Sequence, residues 1–118
     1  MMVDLKKVRI FIRPRNTDLR KAVNGLTGIV EQEMSGEVFS GNMYLFCNRE
    51  RRLIKAIWWE TSGFWLSQKR LEKEKFPCPK TSEAVKELTE EELVMLLKGI
   101  DFFKTHTKRN YKNLKILN

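Results

Sequence analysis

Residues 43–70 read MYLFC-NRER-RLIKAIWW-ETSG-FWLSQKR, and this stretch decides the fold. Three runs rich in aromatic and β-branched residues are separated by two short turn signals. Met43 to Cys47 is expected as one strand, Asn48-Arg49-Glu50-Arg51 as a turn, and Arg52 to Trp59 as a second strand. Glu60-Thr61-Ser62-Gly63 reads as a tight turn into a third strand, Phe64 to Arg70. Strands this close together form an antiparallel meander. With Trp59 opposite Phe64, period-two alternation gives the hairpin two faces. One carries Leu53, Lys55, Ile57, Trp59, Phe64, Leu66, Gln68 and Arg70; the other carries Arg52, Ile54, Ala56, Trp58, Trp65, Ser67 and Lys69.

Upstream, Val8 to Arg13 reads as a strand ended by Pro14. Thr17 is a candidate N-cap with Asp18 in the first turn. Leu19, Ala22, Val23, Leu26, Ile29 and Val30 then recur at helical spacing, which predicts one long helix over Asp18–Met34. Gly25 and Gly28 inside it each cost about 1 kcal/mol relative to Ala, so close packing against a sheet is expected there. Ser35-Gly36 and Ser40-Gly41-Asn42 bracket a loop. Downstream, Glu72 to Lys75 reads as a solvated connection and Phe76-Pro77-Cys78-Pro79 as a rigid loop. Val85 to Leu88 reads as a short edge strand. Thr89-Glu90-Glu91-Glu92 forms a capping box ahead of Leu93, Leu96, Leu97 and Ile100, with Gly99 as terminator.

The fold class is therefore α+β: a single domain with an antiparallel sheet, the Asp18–Met34 helix across one face, and the Thr89–Lys98 helix near the sheet edge. The domain is assigned to residues 1–103, and 104–118 form a basic, aperiodic C-terminal tail. At 118 residues and 14.0 kDa the chain fits one domain. No run approaches the roughly 20 apolar residues of a membrane span, and the charged start lacks a signal-peptide apolar stretch. Cys47 and Cys78 are too few for a disulfide scaffold or a Cys-based zinc site, so a cytoplasmic protein with reduced thiols is expected.

The net charge of +8 and a pI near 9.7 favour a polyanionic partner. The charge comes in bands: +6 over residues 5–21, +4 over 49–75 and +5 over 104–118, separated by acidic stretches. A single band of this kind is ordinarily solvated surface. The enzyme inventory is thin. The single histidine, His106, lies in the tail with no nearby carboxylate, and the only aspartates are Asp4, Asp18 and Asp101. There is no Walker-type glycine loop, no metal-binding His pair and no nucleophile elbow. No catalytic residue, metal ligand or cofactor is assigned.

Two features point toward anion binding. Arg20 and Lys21 fall in the first turn of the expected helix, where the macrodipole disfavours cations, and exposed amides with cations make a phosphate site. Pairing of Arg20 with Asp18 is the plain alternative. The second feature is the hairpin face that interleaves Trp58 and Trp65 with Arg52, Ser67 and Lys69, a pattern suited to base stacking beside phosphate contacts. Burial of both tryptophans in the core is the plain alternative there.

At these segments the sequence resembles a known family. Thr17-Asp18-Leu19-Arg20-Lys21 followed by Gly25-Leu26 is similar to the signature of the small accessory protein, the second-open-reading-frame protein, of bacterial insertion sequences of the IS-66 type. The resemblance continues through Phe39-Ser40-Gly41, Tyr44-Leu45-Phe46, Arg49, Arg52, Leu53 to Trp59, Gly63 to Leu66, Lys69 to Glu72, Phe76-Pro77, Leu93 to Leu97 and Gly99-Ile100-Asp101. It covers about residues 8–103 in order; its strength is collinearity rather than any single motif. Ala22-Val23-Asn24 stands where the family often has Gly-Phe-Asp, and Glu60-Thr61 where an Asp-Gly turn is common. The family name TnpB is shared with an unrelated, far larger RNA-guided nuclease, whose activity does not transfer.

The resemblance implies a non-catalytic accessory role in DNA transposition beside a separate transposase, and it supplies no active-site residues. DNA, with weak sequence preference, is the expected partner. Arg13, Arg15, Arg20, Lys21, Arg49, Arg51, Arg52, Lys69, Arg70 and Lys73 are the candidate phosphate contacts, with Trp58 and Trp65 as candidate stacking residues. The alternative is a module that docks on the cognate transposase without touching DNA. A nucleic-acid-processing enzyme is the remote third reading. No membrane partner is expected, and no oligomeric state follows from the residues.

Overall fold

A computed structural model describes residues 3–79 and 85–100. The element order is β1 (Ile10–Asn16), α1 (Val23–Glu33), β2 (Met43–Cys47), β3 (Leu53–Glu60), β4 (Gly63–Arg70), β5 (Lys86–Leu88) and α2 (Glu90–Leu97). The five strands form one sheet in the order β4-β3-β2-β1-β5. The expected meander is present: β2 pairs with β3 and β3 with β4, both antiparallel, with Trp58 opposite Trp65 and Trp59 opposite Phe64. The sheet is mixed rather than purely antiparallel, because β1 runs parallel to β2. A helix between two adjacent strands is what permits that parallel step.

Both faces of the sheet are covered, which is why central β2 is buried at all five positions. On one face, Leu26, Ile29 and Val30 of α1 pack with Leu19 on Tyr44, Phe46 and Ile57. On the other, Leu93 and Leu96 of α2 join Phe76 over Ile12, Leu45, Ile54, Ala56 and Trp58. The second helix thus follows the edge strand β5, as expected, and lies over the face opposite α1, because its Leu stripe needs apolar cover. Its capping box is formed: Thr89 Oγ1 accepts from the Glu92 amide while the Glu92 carboxylate accepts from the Thr89 amide. Gly99, at φ 80°, ends it in the left-handed region that favours glycine.

Four expectations are corrected. Pro14 does not end the first strand. β1 passes through it to Asn16, and the register with β2 shifts between Ile12 and Asn16, where Pro14 has no amide hydrogen to donate. The long helix begins at Val23, not Asp18, with Ala22 as N-cap and no side-chain cap. Thr17 is occupied elsewhere: its amide donates to Cys47 O at 2.7 Å and its hydroxyl accepts from Arg13 at 3.0 Å. Gly25 and Gly28 do not pack on the sheet; a Cβ at Gly25 would meet only the stem of Lys21, and one at Gly28 nothing within 4 Å. The close approach that requires glycine is instead at Gly36, where a Cβ would lie 2.6 Å from the Tyr44 hydroxyl.

The fourth correction concerns the thiols. Cys47 and Cys78 are joined as a disulfide across 31 residues, with Cα atoms 6.6 Å apart. Burial of Phe76 beneath the sheet, with its amide donating to Arg51 O at 2.6 Å, carries the 76–79 loop alongside the end of β2. No local sequence signal reports that approach. Residues 101–103 of the assigned domain and the 104–118 tail lie outside the described residues.

Candidate nucleic-acid interface

The strand register carries two of the basic bands to the same end of the sheet. Asn16 pairs with Cys47, Cys47 with Ile54, and Leu53 with Arg70, so the ends of β1, β2 and β4 and the start of β3 are level. The residues just beyond them are Thr17 to Lys21 on one loop and Asn48 to Arg52 on another. This is also the carboxyl end of the parallel pair β1/β2, where α/β units present loops to ligands.

Asn48 builds the second loop. Its Oδ1 accepts from the Arg52 and Leu53 amides at 3.0 and 3.1 Å, and its carbonyl accepts from the Arg51 amide. Arg51 consequently sits at φ 59°. An Asn that hydrogen-bonds the backbone beyond it is a turn device, and it leaves the Arg49 and Arg51 side chains at the surface. Arg49 stands between two clefts. One, of about 570 Å³, is lined by Thr17, Asp18, Arg20, Asn48 and Leu53; the other, of about 250 Å³, by Asn16, Asn48, Arg51, Cys78 and Pro79.

The candidate phosphate contacts separate into committed and free cations. Arg13 is 8% exposed, and its guanidinium donates to Glu33 at 2.6 Å, to Thr17 Oγ1 and to Asn16 O. Arg15 donates to the same Glu33 oxygen at 2.7 Å. Arg20 donates to Asp18 through Nε and Nη2, an exposed pair and the plain alternative expected from the sequence. Neither Arg20 nor Lys21 lies in a helical turn, so the macrodipole argument does not apply to them. Arg52 donates to Glu72 O and Lys69 to Leu97 O, which tie the sheet to the 71–79 segment and to α2. Among the described residues, the side chains of Lys21, Arg49, Arg51, Arg70 and Lys73 have no hydrogen-bond or ion-pair partner.

The tryptophan pair is divided. The rings stack at 6.4 Å between centroids, but Trp58 is 3% exposed and its Nε1 has no partner, whereas Trp65 is 40% exposed and donates to Glu60 at 2.8 Å. Trp58 therefore presents no ring face to a base, because α2 and the 71–79 segment cover that side of β3. Trp65 lies toward the turn end of β4, five residues or about 17 Å along the strand from Arg70. Phe39, 66% exposed, packs edge-on against Trp59 at 5.0 Å at that same end. In the sequence it enters only through the resemblance at Phe39-Ser40-Gly41 and not as a candidate site residue, since one Phe in a loop has no periodicity to mark it.

Electrostatics follow from the pairs. Hydrogen bonding from Arg13, and then from Arg15, holds the Glu33 carboxyl below its ordinary 4.5 despite partial desolvation. Side-chain and backbone hydrogen bonds from Arg20 push Asp18 far below the usual carboxylate range. A lowered native pKa means that Glu33 contributes stability above its unfolded value, and that this contribution is lost as pH falls through the folded one. Glu33→Gln is therefore expected to be less stable than the parent at neutral pH. The difference should shrink as pH falls below about 4.5, read from urea midpoints across the acid range.

Among the described residues no group of three or more His, Cys, Asp or Glu side chains gathers as metal ligands, and no helix is long and apolar enough to cross a membrane. Two curated proteins of Sinorhizobium fredii (strain NBRC 101917 / NGR234) are similar to this chain, and both carry the description of uncharacterized protein. One, y4jC, is 29% identical over 102 residues, 86% of either chain. The other, y4hO, is 28% identical over 116 residues, 98% of this chain and 99% of the relative. No solved structure matches. The family described as IS66 Orf2 like protein matches residues 8–107, which includes both loops of the basic end and all seven elements. The chain thus belongs to the IS66 Orf2-like family of insertion-sequence accessory proteins.

Proposed function

We propose that the chain is a non-catalytic accessory factor in transposition that associates with the element's DNA in the cytoplasm and contacts phosphates through the basic end of the sheet. The observation that supports this reading is the gathering of Arg49, Arg51 and Arg70 at one end, unpaired among the described residues, with Lys21 and Lys73 close in sequence. Cations without partners gain most from a polyanion, since no existing pair has to break. Arg13, Arg15, Arg52 and Lys69 act as positioning residues. Arg20 is intermediate: its pair with Asp18 is solvent-exposed, and such pairs are weak enough for a phosphate to compete with them. Trp65 is the remaining candidate for stacking on a single strand. No step of strand cleavage or joining is assigned to these residues; that chemistry belongs to the separate transposase.

A titration of duplex and single-stranded DNA at two salt concentrations tests the reading. With four to five phosphate contacts, affinity should fall on the order of 100-fold between 50 and 200 mM salt, with little dependence on sequence. Replacing Arg49, Arg51 and Arg70 together by Ala should remove most of that salt dependence. Absence of binding even at low salt overturns the proposal and leaves the alternative, docking on the cognate transposase without DNA contact.

A further inference from the structure

The two edges of the sheet are unequal. β5 offers three residues, whereas β4 offers eight, Gly63–Arg70. Among the described residues no strand lies on the outer side of β4. Exposed edges are normally blunted by proline, a bulge or a charge in mid-strand. β4 has none of these. Its register with β3 is unbroken from Glu60↔Gly63 to Leu53↔Arg70, and residues 61–68 carry no charge. Both of its charges, Lys69 and Arg70, stand at its end. Phe64 and Leu66 are only half-buried and Trp65 is exposed, so the edge is apolar as well as open.

We propose that β4 pairs with β4 of a second copy, antiparallel, joining two sheets into one of ten strands about a twofold axis near Leu66 and Ser67. Charge selects this arrangement. A parallel pairing in register sets Lys69 and Arg70 beside the same two cations, and like charges directly opposed destabilise a sheet. The antiparallel pairing carries them to the turn end of the other copy, where residues 60–68 hold Glu60 and no base. There Arg70, which has no partner among the described residues, meets Phe64, a ring face that attracts cations, while Lys69 keeps its bond to Leu97 O. A twofold interface is also the commonest closed assembly for identical chains. The pairing draws on Arg70 and Trp65, which the DNA reading also uses, but its test contains no DNA, so the failure of one is distinguishable from the failure of the other.

The two-residue turn Thr61-Ser62 makes Glu60 and Gly63 a closely hydrogen-bonded pair, and alternation then turns the amide of Gln68 outward. Gln68 is exposed and its side chain makes no hydrogen bond among the described residues. Sedimentation velocity across a concentration series should give the parent chain a mass twice 14.0 kDa at the upper end. Gln68→Pro, which deletes an outward donor, and Gln68→Lys, which keeps the backbone and adds a mid-edge charge, should both shift the chain to monomer with an unchanged far-UV circular dichroism spectrum. Ser67→Cys, close to the twofold, should cross-link copy to copy under mild oxidation, and Ser40→Cys should not. A monomer at every concentration overturns the proposal and leaves the edge to the transposase or to the chain's own remaining residues. A dimer that survives both Gln68 changes, or fails to cross-link through Ser67→Cys, overturns it in favour of another surface.

Discussion

Phe76→Ala is expected to cost about 3–5 kcal/mol of stability, the largest effect of any single substitution considered for this chain. Phe76 is 0% exposed and sits in the cluster that joins α2 to the sheet, against Leu93, Leu96, Ile54 and Trp58. Its ring is the apolar anchor of a segment that is otherwise charged from Glu72 to Lys75 and rigid from Pro77 to Pro79. Removing it opens a cavity between a helix and a sheet that are each held elsewhere, so the walls have little freedom to collapse. The functional end responds too, because the Phe76 amide donates to Arg51 O and the loop beyond lines the smaller cleft beside Arg49. Urea unfolding gives the stability loss. A midpoint within about 1 kcal/mol of the parent would mean that the disulfide and Pro77 hold the loop without the ring.

Arg13→Met is the second large effect, expected at about 2–3 kcal/mol. A hydrogen bond to a charged group contributes roughly 1.5–3 kcal/mol, and breaking a buried pair costs more when the survivor stays buried. Here the survivor, Glu33, is 39% exposed and still holds Arg15, so the lower end applies. The guanidinium also closes the loop after β1 by reaching Thr17 Oγ1 and Asn16 O. Its loss should weaken DNA binding by loosening Thr17 to Lys21, while leaving the slope of affinity against salt unchanged. Loss of a direct phosphate contact such as Arg49 should instead lower that slope by about 0.9. Urea unfolding and salt titration of the same variant separate the two roles. A slope reduced as for Arg49 would return Arg13 to the phosphate contacts.

The meander was legible because the strands announce themselves by composition and are separated by turns too short for anything but hairpins. The faces of the hairpin followed from alternation alone, and the register confirms Trp58 against Trp65 and Trp59 against Phe64. The second helix was legible to the residue at its start, since a capping box is a local device. The first helix was read five residues too early. Thr17-Asp18 has the chemistry of an N-cap, but a tertiary partner took Thr17: the end of β2 claims its amide and Arg13 its hydroxyl. The same competition emptied the macrodipole argument for Arg20 and Lys21. In the candidate interface, the residue types were legible and their availability was not. Arg13 and Arg49 are indistinguishable as sequence, yet one is enclosed with Glu33 and the other stands open between two clefts.

By itself the sequence determined the α+β class, the hairpin faces, the capped second helix and the resemblance that the family comparison bears out, because each rests on spacing or on neighbouring residues. Only the tertiary structure decided that β1 lies parallel beside β2, that the bands at 5–21 and 49–75 meet at one end, and that Cys47 finds Cys78. Those outcomes join residues some 30 or more positions apart. Such contacts are set by which faces must be buried together, and a chain read in one dimension carries no distance across a sheet. The charge of +8 was visible from the start. Which of its cations stand free was settled only when Asp18 and Glu33 had chosen their partners.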